Sequence, residues 1–111
     1  MRLTDLHPEF IAAGGEGVTR EGQPVPKREG IGLIFECPCG GGDLCYVAFS
    51  NPLDGGPPYE PGRATWQRTG DTFETLTLRP SILRVKWRDT KGHEHGCGWH
   101  GFVTNGEVTT V

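Results

Sequence analysis

The stretch HEHGCGWHG, from His93 to Gly101, holds three of the chain's four histidines and one of its four cysteines. Imidazole and thiolate are the side chains that bind borderline transition metals, so the stretch points to a metal. A second cluster lies far upstream, where CPCG sets Cys37 and Cys39 two positions apart. Together with the C-x-x-H pair Cys97 and His100 it makes four ligands. That is the number and kind a tetrahedral structural zinc takes. Cys37, Cys39, Cys97 and His100 are therefore the expected ligands of a single structural Zn2+. Gly40, Gly41, Gly42 and Gly98 suit tight turns that aim backbone N–H groups at sulfur. Binding of this kind adds directly to folding, on the order of 10 kcal/mol in small domains.

Two sets of residues compete with that assignment. Cys45 can replace His100 to give a four-cysteine site, but LCYVAFS reads as a strand, and a free cysteine there behaves as a small buried hydrophobe. His93 and His95 fall on one face of an extended chain and continue the alternation to Cys97. Three of His93, His95, Cys97 and His100 around a zinc with an open position, with Glu94 or Glu36 as base, describe a zinc-dependent hydrolase. Against it, DTKGHEHG is charged, glycine-flanked and empty of apolar residues, which is the composition of a solvated loop. Ser81 has no base beside it in the sequence and His7 is distant, so a serine hydrolase is not expected.

These residues have to be positioned by a small and loop-rich body. The chain has 111 residues, 34% of them hydrophobic, with 18 Gly and 9 Pro. That is one domain with a lean core, the situation in which a metal staple helps most. A net charge of −3 lacks the basic footprint of a nucleic-acid binder, and no nucleic-acid partner is expected, although LRVKWR is locally basic and keeps a zinc-knuckle nucleic-acid reading open. No apolar run is long enough to span a membrane. Asp5 and Glu9 interrupt the start of the chain where a signal peptide needs apolar residues. The expected compartment is the cytoplasm of a bacterial host cell, where four cysteines serve as ligands or buried thiols rather than disulfides.

Residues 1–30 read as an N-terminal arm, with a short helix in LHPEFIAAGG started by Pro8 and stopped by Gly14. Residues 31–111 read as a β-rich zinc-binding domain. IGLIFEC and LCYVAFS make a hairpin around the CPCGGGD turn. NPLDGGPPYEPGR is a long loop, ATWQ a short strand, DTFETLTL and RVKWR alternating strands, and RPSIL a turn. Asn105-Gly106 predicts a type I′ hairpin turn. Trp66, Phe73, Trp87 and Phe102 are expected in the core, and Trp99 beside the metal. The fold class is mainly β with little helix, a small antiparallel sheet sandwich or partly open barrel closed by a zinc-knuckle-like site.

FECPCGGG, TLTLRPSIL and CGWHGFVTNGEV resemble, in order and spacing, a family of small bacterial and phage domains of unknown function, the DUF6527-like domains. The resemblance spans about Ile31 to Val108. It marks Cys37, Cys39, Cys97 and His100 as ligands, Pro80-Ser81 as a shared turn and Asn105-Gly106 as the hairpin. A further cysteine in many relatives is Gly41 here. The ammonia monooxygenase label on some phage relatives finds no support, because this chain has no spanning helix. Other relatives sit beside ubiquitin-like conjugation genes. The resemblance thus implies a phage or mobile-element accessory domain, and the expected function is binding of another, unidentified protein.

Overall fold

The computed structural model describes all 111 residues, the side chain of His95 excepted. A turn of 3-10 helix, Leu3–Leu6, precedes nine strands: β1 (Glu9–Ala13), β2 (Arg28–Glu36), β3 (Leu44–Ala48), β4 (Gln67–Thr69), β5 (Thr77–Leu83), β6 (Trp87–Arg88), β7 (Glu94–His95), β8 (His100–Thr104) and β9 (Glu107–Thr110). They form a three-stranded sheet β1-β2-β3, a four-stranded sheet β4-β5-β8-β9 and a two-stranded ribbon β6-β7, and the pairs within each are antiparallel. The fold is mainly β, built of small open sheets, as the composition predicts. Among the described residues no helix is long and apolar enough to cross a membrane.

The two larger sheets face one core. Leu33, Phe35, Val47 and Phe49 enter it from the first, and Leu76, Leu78, Ile82, Val103 and Val108 from the second. Each set alternates along its strand, so the intervening residues point outward. A parallel bridge between Phe49 and Trp66 stitches the sheets at one corner.

The start of the chain is no helix. His7 adopts a left-handed conformation (φ 49°) that ends the 3-10 turn, and Glu9–Ala13 then pairs with β2, Phe10 opposite Leu33. Leu3 and Leu6 are buried in the shared core, and Leu3 N–H donates to the Gly106 carbonyl. The backbone groups of EFIAA find partners on an open sheet edge, which two isolated helical turns cannot match.

The β2-β3 hairpin forms as expected around the CPCGGGD turn, with Phe35 opposite Cys45. At the other end Asn105 (φ 47°) and Gly106 (φ 77°) supply the paired positive φ values of a tight hairpin, and Thr104 faces Glu107 across it. A side chain at position 106 would run into the Glu74 carbonyl, so glycine is needed for space as well as for φ.

Further expectations about the body are corrected. DTFETLTL is not a strand throughout: Phe73, Glu74 and Thr75 form a turn, and β5 begins only at Thr77. RPSIL is not a turn but the second half of β5, carried through Pro80 by a break in the ladder. Leu78 pairs with Val103 but Ile82 with Gly101, so β5 carries two extra residues between them. Proline is tolerated in a strand where the ladder is interrupted. Trp87 and Phe102 are not core residues: they are 55% and 45% exposed. Phe102 alternates with the inward Gly101 and Val103, and Trp87 sits on the peripheral ribbon, away from the shared core. Trp66 and Phe73 do pack against the core from its margin.

Candidate active site and thiol cluster

Strands β5 and β8 lie side by side, Leu83 opposite His100 and Ile82 opposite Gly101. Ile82, Gly101 and Val103 are buried, so Ser81, Leu83, His100 and Phe102 share the outward face. The pairing of Ile82 with Gly101 and Leu83 with His100 leaves Ser81, at the end of the break in β5, diagonally across from His100, and the His100 Nε2 atom is 2.9 Å from the Ser81 hydroxyl oxygen. Both side chains are half-buried. Ladder irregularities of this sort bend a strand and re-aim a side chain, and they recur beside active sites.

Each partner is held from behind. The Trp66 indole N–H donates to the Ser81 carbonyl at 3.2 Å. On the other side, Arg84 N–H donates to the Trp99 carbonyl at 2.7 Å and the Trp99 indole N–H to the Thr110 hydroxyl at 3.0 Å, which fixes the residue before His100. Trp99 is buried, its ring edge-on to Phe35. Its own ring lies where a Cβ at position 101 would sit, so the glycine after His100 lets the tryptophan fold back over the strand. With Nδ1 carrying the ring proton, Nε2 accepts from the serine hydroxyl, the geometry of a nucleophile beside its base.

Three of the four expected metal ligands also meet. The sulfurs of Cys37, Cys39 and Cys97 lie within 4.8 Å of one another, and Cys37 Sγ is 2.8 Å from Cys97 Sγ. The hairpin loop puts the first two in place: Cys37 N–H donates to the Asp43 carbonyl, Gly40 N–H to the Cys37 carbonyl, and Gly41 N–H points at Cys39 Sγ at 3.4 Å. That last bond is the main reason the Cys39 thiol is held below its ordinary pKa. Burial, then the hydrogen bond with Cys97, pushes the Cys37 thiol up.

Cys45 is wholly buried beside them. Burial pushes its pKa to about 11, while a hydrogen bond with Cys37 and then the charge of Arg84 pull the other way. The Arg84 Nε is buried and has no hydrogen-bond partner among the described residues. A cation whose Nε is buried beside Cys45, next to the thiol cluster, suits a site whose thiolates outweigh the charge of a divalent metal. The cluster thus fits a soft cation on its donor set and on its charge.

His100 is not with the sulfurs. The mutually close group holds neither His100 nor Cys45, and the His100 ring meets Ser81 instead. His93 is exposed, its Nδ1 3.7 Å from Asp89, on the approach loop that its composition predicts. The His95 side chain lies outside the described residues. Ser81 was the residue that sequence reasoning passed over. The usable signal was parity: Leu78 and Ile82 inward put Ser81 outward, as Gly101 and Val103 do His100, but Pro80 disguises the strand.

A family model described as "Bacterial ubiquitination-like system serine protease (BubE)" matches residues 16–111. No curated protein and no solved structure matches the chain. The match bears out a small bacterial family but not the DUF6527-like domains or their motifs, and it overturns the expected function. A family described as a protease is not a protein-binding accessory without an activity of its own.

Proposed function

The chain belongs to this BubE family, and on that premise we propose that it is a serine protease with Ser81 as nucleophile and His100 as general base. The observation that carries the reading is the 2.9 Å contact between His100 Nε2 and the Ser81 hydroxyl on an accessible sheet face. The substrate is a peptide or isopeptide bond in a protein of a ubiquitination-like system, which the family description supports.

The chemistry follows from the pair. Ser81 Oγ attacks the scissile carbonyl carbon while its proton passes to His100 Nε2. The tetrahedral adduct collapses as the imidazolium gives that proton to the departing amine, leaving an acyl ester on Ser81. Water, deprotonated by the same Nε2, cleaves the ester and restores the hydroxyl. Among the described residues the serine hydroxyl is the side-chain hydrogen-bond partner of the ring, so orientation of the base rests on the Trp99 clamp.

Cys37, Cys39 and Cys97 are proposed to hold a structural zinc. Their sulfurs, mutually within 4.8 Å, would serve as the thiolate ligands of such a metal. The metal supplies no step of the reaction in this reading. It fixes the knuckle that leads through Trp99 to His100. All four cysteines are free thiols, as a reducing bacterial cytoplasm would keep them.

The test is covalent labelling with a fluorophosphonate followed by peptide mapping. Label on Ser81, lost in both Ser81→Ala and His100→Ala, is the expected result. A folded wild-type protein that takes no label at Ser81 overturns the assignment.

A further inference from the structure

The surroundings of the Ser81–His100 pair are apolar and open. Leu83 stands directly opposite His100 and is 55% exposed. Phe102, 45% exposed, is two residues on from His100 on the same face, where the ladder between β5 and β8 is interrupted. The rings of His100 and Phe102 are 6.4 Å apart and tilted by 32°. Two large apolar side chains therefore flank the His100 side of the pair, in a face where alternation would allow polar residues at no cost to the core. The cleft of about 490 Å3 lined by Phe10, Ala12, Leu53 and Asp54 is elsewhere and includes neither member of the pair. An open sheet face suits a polypeptide laid across it better than a small molecule, which needs enclosure.

Resting on the serine-protease reading above, we infer that Leu83 and Phe102 set the specificity of the enzyme, by seating an apolar side chain of an extended substrate polypeptide within two residues of the scissile bond. The spacing carries the limit of two. Neighbours on one sheet face lie about 5 to 7 Å apart. An extended chain advances about 3.3 Å per residue, so a segment whose carbonyl reaches Ser81 Oγ has its first or second flanking residue over Leu83 or Phe102. An apolar side chain there covers surface that is otherwise exposed to water, whereas a carboxylate would lose hydration with no partner.

The test uses the full chain and pairs of fluorogenic peptides that differ only in Leu or Asp, scanned over two positions on each side of the cleaved bond. The wild type is expected to prefer Leu by about tenfold or more in kcat/KM at one of these positions. Leu83→Ser or Phe102→Ser should cut that preference below about threefold, mostly through KM. Circular dichroism and melting temperature should not change in either variant, which separates a lost contact from a lost fold. Absence of a preference in the wild type, or variants that keep it, overturns the inference. So does a change of oligomeric state in the variants with the preference intact, since the face would then join two copies of the chain. Failure of Ser81 to label in the wild type is a different result: it overturns the nucleophile assignment, and this inference with it.

Discussion

Ser81 and His100 are ordinary residues until they share a face. Neither lies in a sequence motif for nucleophilic catalysis, and His100 sits in a C-x-x-H pair that reads as half a zinc site. The hydrogen bond between them gives each a separate prediction. Ser81→Ala should lower kcat by at least about 10^3-fold while circular dichroism and melting temperature stay near wild type, because a half-buried hydroxyl is removed without opening a cavity. His100→Ala should cost about 10^2 to 10^4-fold, the usual worth of a positioned base. It should also leave zinc content at the wild-type value if the clustered sulfurs hold the metal. Loss of zinc in His100→Ala would return this histidine to the ligand set. Residue types in the sequence told where a metal would sit; they did not tell which histidine was spoken for.

Among the elements, the two hairpins and the broken strand β5 do different work. The Asn105-Gly106 hairpin was legible because a two-residue loop demands two positive φ values and few residues supply them. Gly106→Ala should destabilise by more than about 1 kcal/mol in urea, since it meets both the φ requirement and the Glu74 carbonyl. Strand β5 was illegible because Pro80 reads as a turn, and only the pairing with β8 shows the strand continuing. The long loop after β3 is tied down by one ion pair. Arg28 Nε and Nη2 hold the two carboxylate oxygens of Asp54 at 2.7 and 3.0 Å, and Nη2 also reaches the Pro57 carbonyl. The arginine, with the Gly56 N–H, lowers the Asp54 pKa from 3.8 to about 2. A depressed carboxylate pKa stabilises the fold above its unfolded value and loses that effect as the pH falls through the folded one. The melting temperature of the wild type should therefore exceed that of Asp54→Asn at neutral pH. The gap should close between pH 3.8 and about 2.

In the whole molecule, the thiol cluster joins the β2-β3 hairpin to the chain entering β8, 60 residues later, and so bears on both sheets. Chelation of purified protein, or Cys37→Ser or Cys97→Ser, should lower the melting temperature and drop zinc per chain from one toward zero by elemental analysis. Activity should fall with the fold, not ahead of it. Activity lost at a chelator concentration that leaves the melting curve unchanged would assign the metal to the chemistry. The sequence by itself determined the fold class, the main hairpins and the meeting of CPCG with CGWH. Local φ requirements, period-two alternation and the scarcity of thiols are properties that one dimension carries. Only the tertiary structure decided that His100 belongs to Ser81 and that Phe102 faces outward. A partner across a sheet is fixed by register between strands, and register is set by which residues the core accepts from both sheets at once.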